Sequence, residues 1–174
     1  MLRRRNSTLR ILLLALGCRP ALAAAQSVTV SLEKQTAGTF YLDGAIEGYG
    51  ELAMLVDTGS SYMVISEKIL ARLKAAGQAK FSRELEGMMA DGSRRVVPMY
   101  RIASLRLGQG CWLEDIEAAV FPGDSRPILG MNVLARLAPF TFSAEPPQLA
   151  LNRCEALSPA ERVLTSADPL QRVQ

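Results

Sequence analysis

Two apolar segments, Glu51 to Val56 and Met63-Val64-Ile65, enclose the run Asp57-Thr58-Gly59-Ser60-Ser61. Short apolar runs bounded by turn residues read as buried strands. A carboxylate is therefore expected at the tip of a tight loop whose two ends are fixed in a core. Asp, Thr and Gly are also ordinary turn residues, and the tripeptide alone fits a plain loop after a strand. The apolar flanks set this one apart. The chain holds a single such loop: Asp43, Asp91, Asp115, Asp124 and Asp168 are not followed by Thr/Ser-Gly.

Other chemistries are excluded by composition. The 174 residues include no histidine, which removes Ser-His-Asp triads, Cys-His pairs and His-ligated zinc. Three cysteines, one of them Cys18 near the N-terminus, are too few for a four-thiolate metal site. No glycine-rich phosphate loop is present. No metal and no cofactor are expected. Carboxylate chemistry remains.

Residues 1–25 form a distinct segment. Arg3, Arg4, Arg5 and Arg10 precede Ile11-Leu12-Leu13-Leu14-Ala15-Leu16, and small residues follow as Ala21-Leu22-Ala23-Ala24-Ala25. This is the layout of a secretory signal peptide, with cleavage expected after Ala23 or Ala25. The apolar run before Arg19 is too short to span a bilayer. Leu16-Gly17-Cys18 offers a second reading, a lipoprotein anchored at Cys18, with Ala15 where a lipobox usually has leucine. The expected location is periplasmic or secreted, with membrane attachment only if the leader is retained or Cys18 is lipidated.

Removing that segment takes five of the 20 Lys+Arg and none of the 17 Asp+Glu, leaving 15 basic against 17 acidic side chains, a net charge of −2. No basic cluster survives, so nucleic acid is not an expected partner. In an oxidising compartment the remaining Cys111 and Cys154 are a candidate disulfide, the alternative being two free thiols.

Along 26–154 the pattern reads as one all-β domain, followed by a polar tail over 155–174. Val28, Val30 and Leu32 alternate as an edge strand. Phe40 to Ile46 turns at Gly48-Tyr49-Gly50 into the strand that delivers Asp57. Ser66 is placed to cap a helix with Glu67 in its first turn, Ile69, Leu70 and Leu73 on one face, and a stop at Gly77. Phe81 to Leu107 reads as a long hairpin bent at Ala90-Asp91-Gly92-Ser93, where Asp-Gly is a strong turn signal. Leu113 to Phe121 is the next strand, and Phe140-Thr141-Phe142 with Leu149-Ala150-Leu151 a closing hairpin.

Downstream, Pro127-Ile128-Leu129-Gly130 runs into the short helical pattern Met131 to Leu137. Together with Leu55-Val56-Asp57-Thr58-Gly59, in this order and spacing, it resembles the retropepsin-like aspartic proteases, the single-domain relatives of pepsin, and most closely their bacterial exported or membrane-anchored members. The resemblance spans about Phe40 to Leu151. It implies a closed β-barrel with one or two short helices and a flap hairpin, and an aspartic endopeptidase with Asp57 as catalytic residue and Thr58, Gly59 and Ser60 supporting its loop. It implies that Ile128, Leu129 and Gly130 pack beside that loop, and that Ala90, Asp91 and Gly92 form the flap tip over a peptide. Met88, Met89 and Val96 are apolar residues for covering a substrate side chain, or else part of the core. Ser60 is placed to hydrogen-bond an oxygen of Asp57.

Peptide hydrolysis by water needs a base for the water and an acid for the carbonyl oxygen. Two carboxylates a few Å apart share one proton and titrate as a unit, supplying both. This chain carries one half of such a pair, and 174 residues hold one core rather than two pepsin-type lobes. The second Asp57 is therefore expected from a second copy, in a homodimer with the site on its twofold axis and Thr58 bracing across it. The alternative is a non-catalytic peptide-binding or regulatory module on the same fold.

Overall fold

The computed structural model describes residues 26–88 and 91–154, so the expected leader, the tail, and Met89 and Ala90 at the hairpin tip lie outside the described residues. Thirteen of its elements run in the order β1 (Gln26–Ser31), β2 (Glu33–Lys34), β3 (Phe40–Ile46), β4 (Gly50–Val56), β5 (Met63–Ser66), α1 (Glu67–Ala75), β6 (Ala79–Met88), β7 (Arg94–Leu107), β8 (Cys111–Phe121), β9 (Ile128–Leu129), α2 (Met131–Leu134), β10 (Phe140–Ala144) and β11 (Pro147–Cys154). A single 3-10 turn, Ala135–Leu137, extends α2.

The larger sheet has the order β2-β3-β4-β9-β5-β8-β7-β6, and an added β3–β7 pairing closes β3, β4, β9, β5, β8 and β7 into a six-stranded barrel. The expected all-β barrel with short helices is the observed fold. Period-2 alternation explains how the barrel fills: Leu42, Gly44 and Ile46 of β3 are buried while Asp43 is exposed. Leu42, Met54, Met63, Ile65, Ile102, Leu105 and Leu129 are among the residues that fill the interior.

A second, smaller apolar cluster lies on the other face of the strands. Val64, Val97, Met99 and Ala119 are buried there, with Tyr62, Leu85, Phe121 and Ile128 packed against them. The β6–β7 hairpin covers this cluster through Leu85 and its partner Val97. Its opposite face carries Met88, 70% exposed, and Val96, 62% exposed, so neither is core. The hairpin ends in the expected turn: Gly92 takes φ +80°, and Asp91 Oδ1 accepts from the Ser93 N–H at 2.9 Å and the Ser93 hydroxyl at 2.6 Å.

Local signals also set α1. Ser66 is extended, and its Oγ accepts from the Ile69 N–H at 3.2 Å. Glu67 lies at the positive end of the helix dipole, Arg72 and Lys74 at the negative end, and Ile69, Leu70 and Leu73 are buried. The helix leaves through Gly77 at φ +70°.

The terminal segments form a separate sheet in the order β1-β11-β10, with Val28, Val30, Leu149 and Leu151 directed to the main core. Cys111, at the start of β8, is bonded to Cys154, at the end of β11, with a sequence separation of 43. The bond ties the small sheet to the barrel. Closing a loop of that length in the unfolded chain corresponds to about 4 kcal/mol of stabilisation in the chain-entropy description. A Cys111→Ser/Cys154→Ser protein is expected to unfold at markedly lower denaturant, a loss of roughly 2–4 kcal/mol by equilibrium denaturation; an unchanged midpoint would contradict this.

Candidate active site

The strands on either side of Asp57 are neighbours in sequence but not in the sheet. β9 lies between them, parallel to β4 through Leu55↔Ile128 and Val56↔Leu129, and antiparallel to β5 through Val64↔Ile128. The Asp57 loop therefore arches over the end of β9. Backbone bonds fix its entry: the Leu55 N–H donates to Pro127 O at 3.0 Å and the Asp57 N–H to Leu129 O at 3.1 Å. Its exit is held by α2, whose first-turn N–H groups have no partner within the helix. Met131 donates to Ser60 O at 2.8 Å and Asn132 to Ser61 O at 3.0 Å.

This geometry accounts for the residue types in Ile128-Leu129-Gly130. Leu129 points into the barrel and is fully buried, while Ile128 faces the second cluster. Gly130 meets the loop backbone. A Cβ there would stand 2.3 Å from Tyr62 O, which no side chain tolerates.

At the loop tip Asp57 is half-buried, and Thr58 and Gly59 are exposed. The Gly59 N–H donates to Asp57 Oδ1 at 2.9 Å, and the Ser60 N–H donates to the Asp57 carbonyl at 3.3 Å. The expected bond from Ser60 to the Asp57 carboxylate is not formed. The Ser60 hydroxyl has one proton, and it donates to Tyr62 O at 2.7 Å. Its contribution is to close the turn behind the aspartate rather than to touch the carboxylate.

Other aspartates are engaged elsewhere. Asp124 pairs with Lys68 at 3.1 Å, and Asp115 pairs with Arg101. Asp91 lies in the hairpin turn, where first the Ser93 hydroxyl and then the Ser93 N–H hold its carboxyl below the usual range. Among the described residues no three His, Cys, Asp or Glu side chains gather as a metal site.

Two elements of the site have partners that the sequence does not mark, although Asn132 ends the Leu129-Gly130-Met131-Asn132 stretch that is part of the resemblance. Asn132 joins the backbones of two strands, β5 and β8: its Oδ1 accepts from the Met63 N–H at 2.8 Å, and its Nδ2 donates to Glu117 O at 2.7 Å. A lone amide among Met131, Val133 and Leu134 is the available signal, because a polar group in an apolar segment needs partners. The other is Arg83, whose Nη2 donates to Glu117 Oε2 at 3.0 Å and to the Tyr62 hydroxyl at 3.2 Å. No local pattern marks that contact.

Asn132→Ala leaves the Met63 N–H and the Glu117 carbonyl without their partner. It is expected to cost roughly 2–4 kcal/mol in equilibrium unfolding, and a loss below the error of that measurement would contradict the brace. A second expectation concerns pH. The Arg83 hydrogen bond holds Glu117 below its ordinary 4.5, outweighing the opposing effect of burial, with Ser82 adding to it. A depressed carboxyl stabilises the fold above its ordinary pKa, and that contribution is lost as pH falls through the lowered value. The melting-temperature gap between the natural protein and Glu117→Gln is expected to be small, to be largest near neutrality and to shrink as pH falls below the ordinary carboxylate range; a gap that does not shrink on acidification would contradict the assignment.

The chain is matched from residue 42 to 136 by the family model described as "gag-polyprotein putative aspartyl protease". That span runs from β3 to the turn after α2 and contains the Asp57 loop, the hairpin and Ile128-Leu129-Gly130. Among solved structures the chain is similar to a retropepsin-like aspartic protease from Rickettsia conorii, with 21% identity and a TM-score of 0.53 over 76% of this chain and 94% of that one. At that identity the likeness concerns the fold. No curated protein matches the chain. The family match over more than half of the chain, on the barrel and loop described above, places this protein in the retropepsin-like aspartic protease family.

Proposed function

We propose that the protein is an exported aspartic endopeptidase that works as a homodimer, with water activated between the Asp57 carboxylates of two copies. The observation that carries this reading is a lone Asp-Thr-Gly loop, locked from below by β9 and α2, whose aspartate stays half-buried at the tip. One carboxylate cannot act as base and acid in the same step. A twofold axis beside the loop supplies the second without any further element.

In this scheme the ionised Asp57 takes a proton from water as the water oxygen attacks the scissile carbonyl. The protonated Asp57 of the other copy gives its proton to the carbonyl oxygen. The tetrahedral intermediate then breaks at the C–N bond as the proton taken from water passes to the leaving amine, and one hydroxyl of the intermediate returns its proton to the other Asp57, leaving a carboxylic acid and the shared proton restored. Thr58, exposed beside Asp57, braces the partner's loop with its hydroxyl in this scheme, and Gly59 keeps its N–H on the carboxylate. The β6–β7 hairpin acts as the flap, with Asp91 and Gly92 over the peptide backbone. The exposed Met88 and Val96 near the tip favour peptides with apolar residues around the cut. The leader composition supports export to the periplasm or beyond.

The test is incubation of the purified mature protein with a diverse peptide library across pH, read by mass spectrometry. Asp57→Asn is expected to lower cleavage about 1,000-fold, as for loss of a positioned acid or base, with circular dichroism and subunit association unchanged. Activity per chain is expected to drop on dilution through the dimer dissociation range. Undiminished cleavage by the variant, or strict proportionality of rate to concentration in a monomeric sample, would refute the reading.

A further inference from the structure

Arg83 stands at the end of one cross-strand row. Leu55 on β4 faces Ile128 on β9, then Val64 on β5, Ala119 on β8, Met99 on β7 and Arg83 on β6. Residues paired in this way share a face of the sheet. Leu55 precedes Asp57 by two residues, so the row leads from the base of the Asp57 loop to the base of the β6–β7 hairpin.

A register shift between Phe81 and Arg83 gives the arginine its direction. In a regular strand Ser82 and Arg83 would point to opposite faces. At this bulge both reach the same carboxylate: the Ser82 hydroxyl donates to Glu117 Oε1 at 2.9 Å, and Arg83 donates Nε to Oε1 at 3.3 Å and Nη2 to Oε2 at 3.0 Å. Bulges re-aim side chains in this manner. The Glu117 hydrogen bonds, with the Tyr62 hydroxyl next, keep the Arg83 guanidinium pKa above its ordinary value.

From this anchor two routes converge on the segment after Asp57. One is direct: Arg83 Nη2 also donates to the Tyr62 hydroxyl at 3.2 Å, and the guanidinium lies 5.5 Å from the Tyr62 ring centre. Tyr62 O in turn accepts the Ser60 hydroxyl and abuts Gly130. The other runs through Glu117 O to Asn132 and on to the Met63 N–H.

We propose that Arg83 is a positioning residue for the Asp57 loop: anchored on Glu117, it pins the side chain of Tyr62 and so couples the loop to the base of the β6–β7 hairpin. The catalytic consequence rests on Asp57 acting as the proposed acid and base. Ion pairs as exposed as this one, with side chains 40% and 24% accessible, contribute little to global stability. A role in positioning therefore shows in turnover and local opening before it shows in melting.

The test compares Arg83→Met, Arg83→Lys and Tyr62→Phe in the mature protein, using a peptide that the natural protein cleaves. Arg83→Met is expected to lower kcat by about 10–100-fold, the scale of a small misplacement of reacting groups, with KM within about threefold. Arg83→Lys is expected to recover part of the loss, and Tyr62→Phe to show a smaller one. Amide exchange provides a readout independent of turnover. Asp57, Met63 and Met131 N–H groups are expected to exchange about 10-fold faster in Arg83→Met while Thr141 and Ala150 on the β10–β11 pair are unchanged. Unaltered exchange at the three loop amides would overturn the proposal, as would a kcat equal to the natural protein's or reduced only in proportion to the folded fraction. Absence of Asp57-dependent cleavage in the natural protein would remove the protease reading, and the exchange data would still decide whether Arg83 holds the loop.

Discussion

The site depends on a two-residue strand placed between two others. Because β9 separates β4 from β5, the loop joining those strands has to cross the end of β9, and its curvature is set by what it crosses. The crossing requires a residue without a side chain, and Gly130 is there, under the Tyr62 carbonyl. It also leaves the first N–H groups of α2 facing the loop carbonyls, so one element satisfies the backbone of another. A loop held by main-chain bonds at entry and exit keeps its tip in one place. That is what a carboxylate needs if it is to meet a second carboxylate at hydrogen-bonding distance.

The parts of this arrangement that were legible in the sequence have local causes. Ser66, Glu67, Leu73 and Gly77 mark α1 by capping, dipole and burial within a few turns of chain. Asp91-Gly92 marks the hairpin by turn chemistry, and the apolar runs around Asp57 mark the two strands. The parts that were not legible depend on residues distant in the chain. The resemblance sets Ile128-Leu129-Gly130 beside the loop, but nothing local announces that this short strand pairs with β4 through both residues and with β5 through Ile128. Ser60 was expected to serve the carboxylate, but the direction of a hydroxyl is decided by which acceptor the fold presents, and that acceptor is Tyr62 O. Arg83 reaches Glu117 and Tyr62 only because a bulge turns it, and a bulge leaves no periodic trace. Met88 and Val96 show the same limit from the other side, since hydrophobicity alone did not tell core from exposed tip.

A family assignment fixes less than a mechanism. The barrel, the loop and the hairpin belong to the retropepsin-like aspartic proteases. Catalysis by two paired copies is the proposal that the half-site supports, and the proposal of export rests on the composition of residues 1–25 alone. The proposed pairing has a further observation in its favour: Asp91, Asp115 and Asp124 are engaged in turns or ion pairs elsewhere, so the chain's own aspartates at those positions do not complete the pair.

The most direct test of that claim is subunit mixing. Natural protein and Asp57→Asn are combined at fixed total concentration, allowed to exchange subunits, and assayed on one cleavable peptide. If both carboxylates are required, activity falls as the square of the natural fraction, since only dimers with two intact loops turn over. A fall in direct proportion to that fraction would show that each chain works with its own aspartate alone, and a mechanism shared between two copies would be wrong.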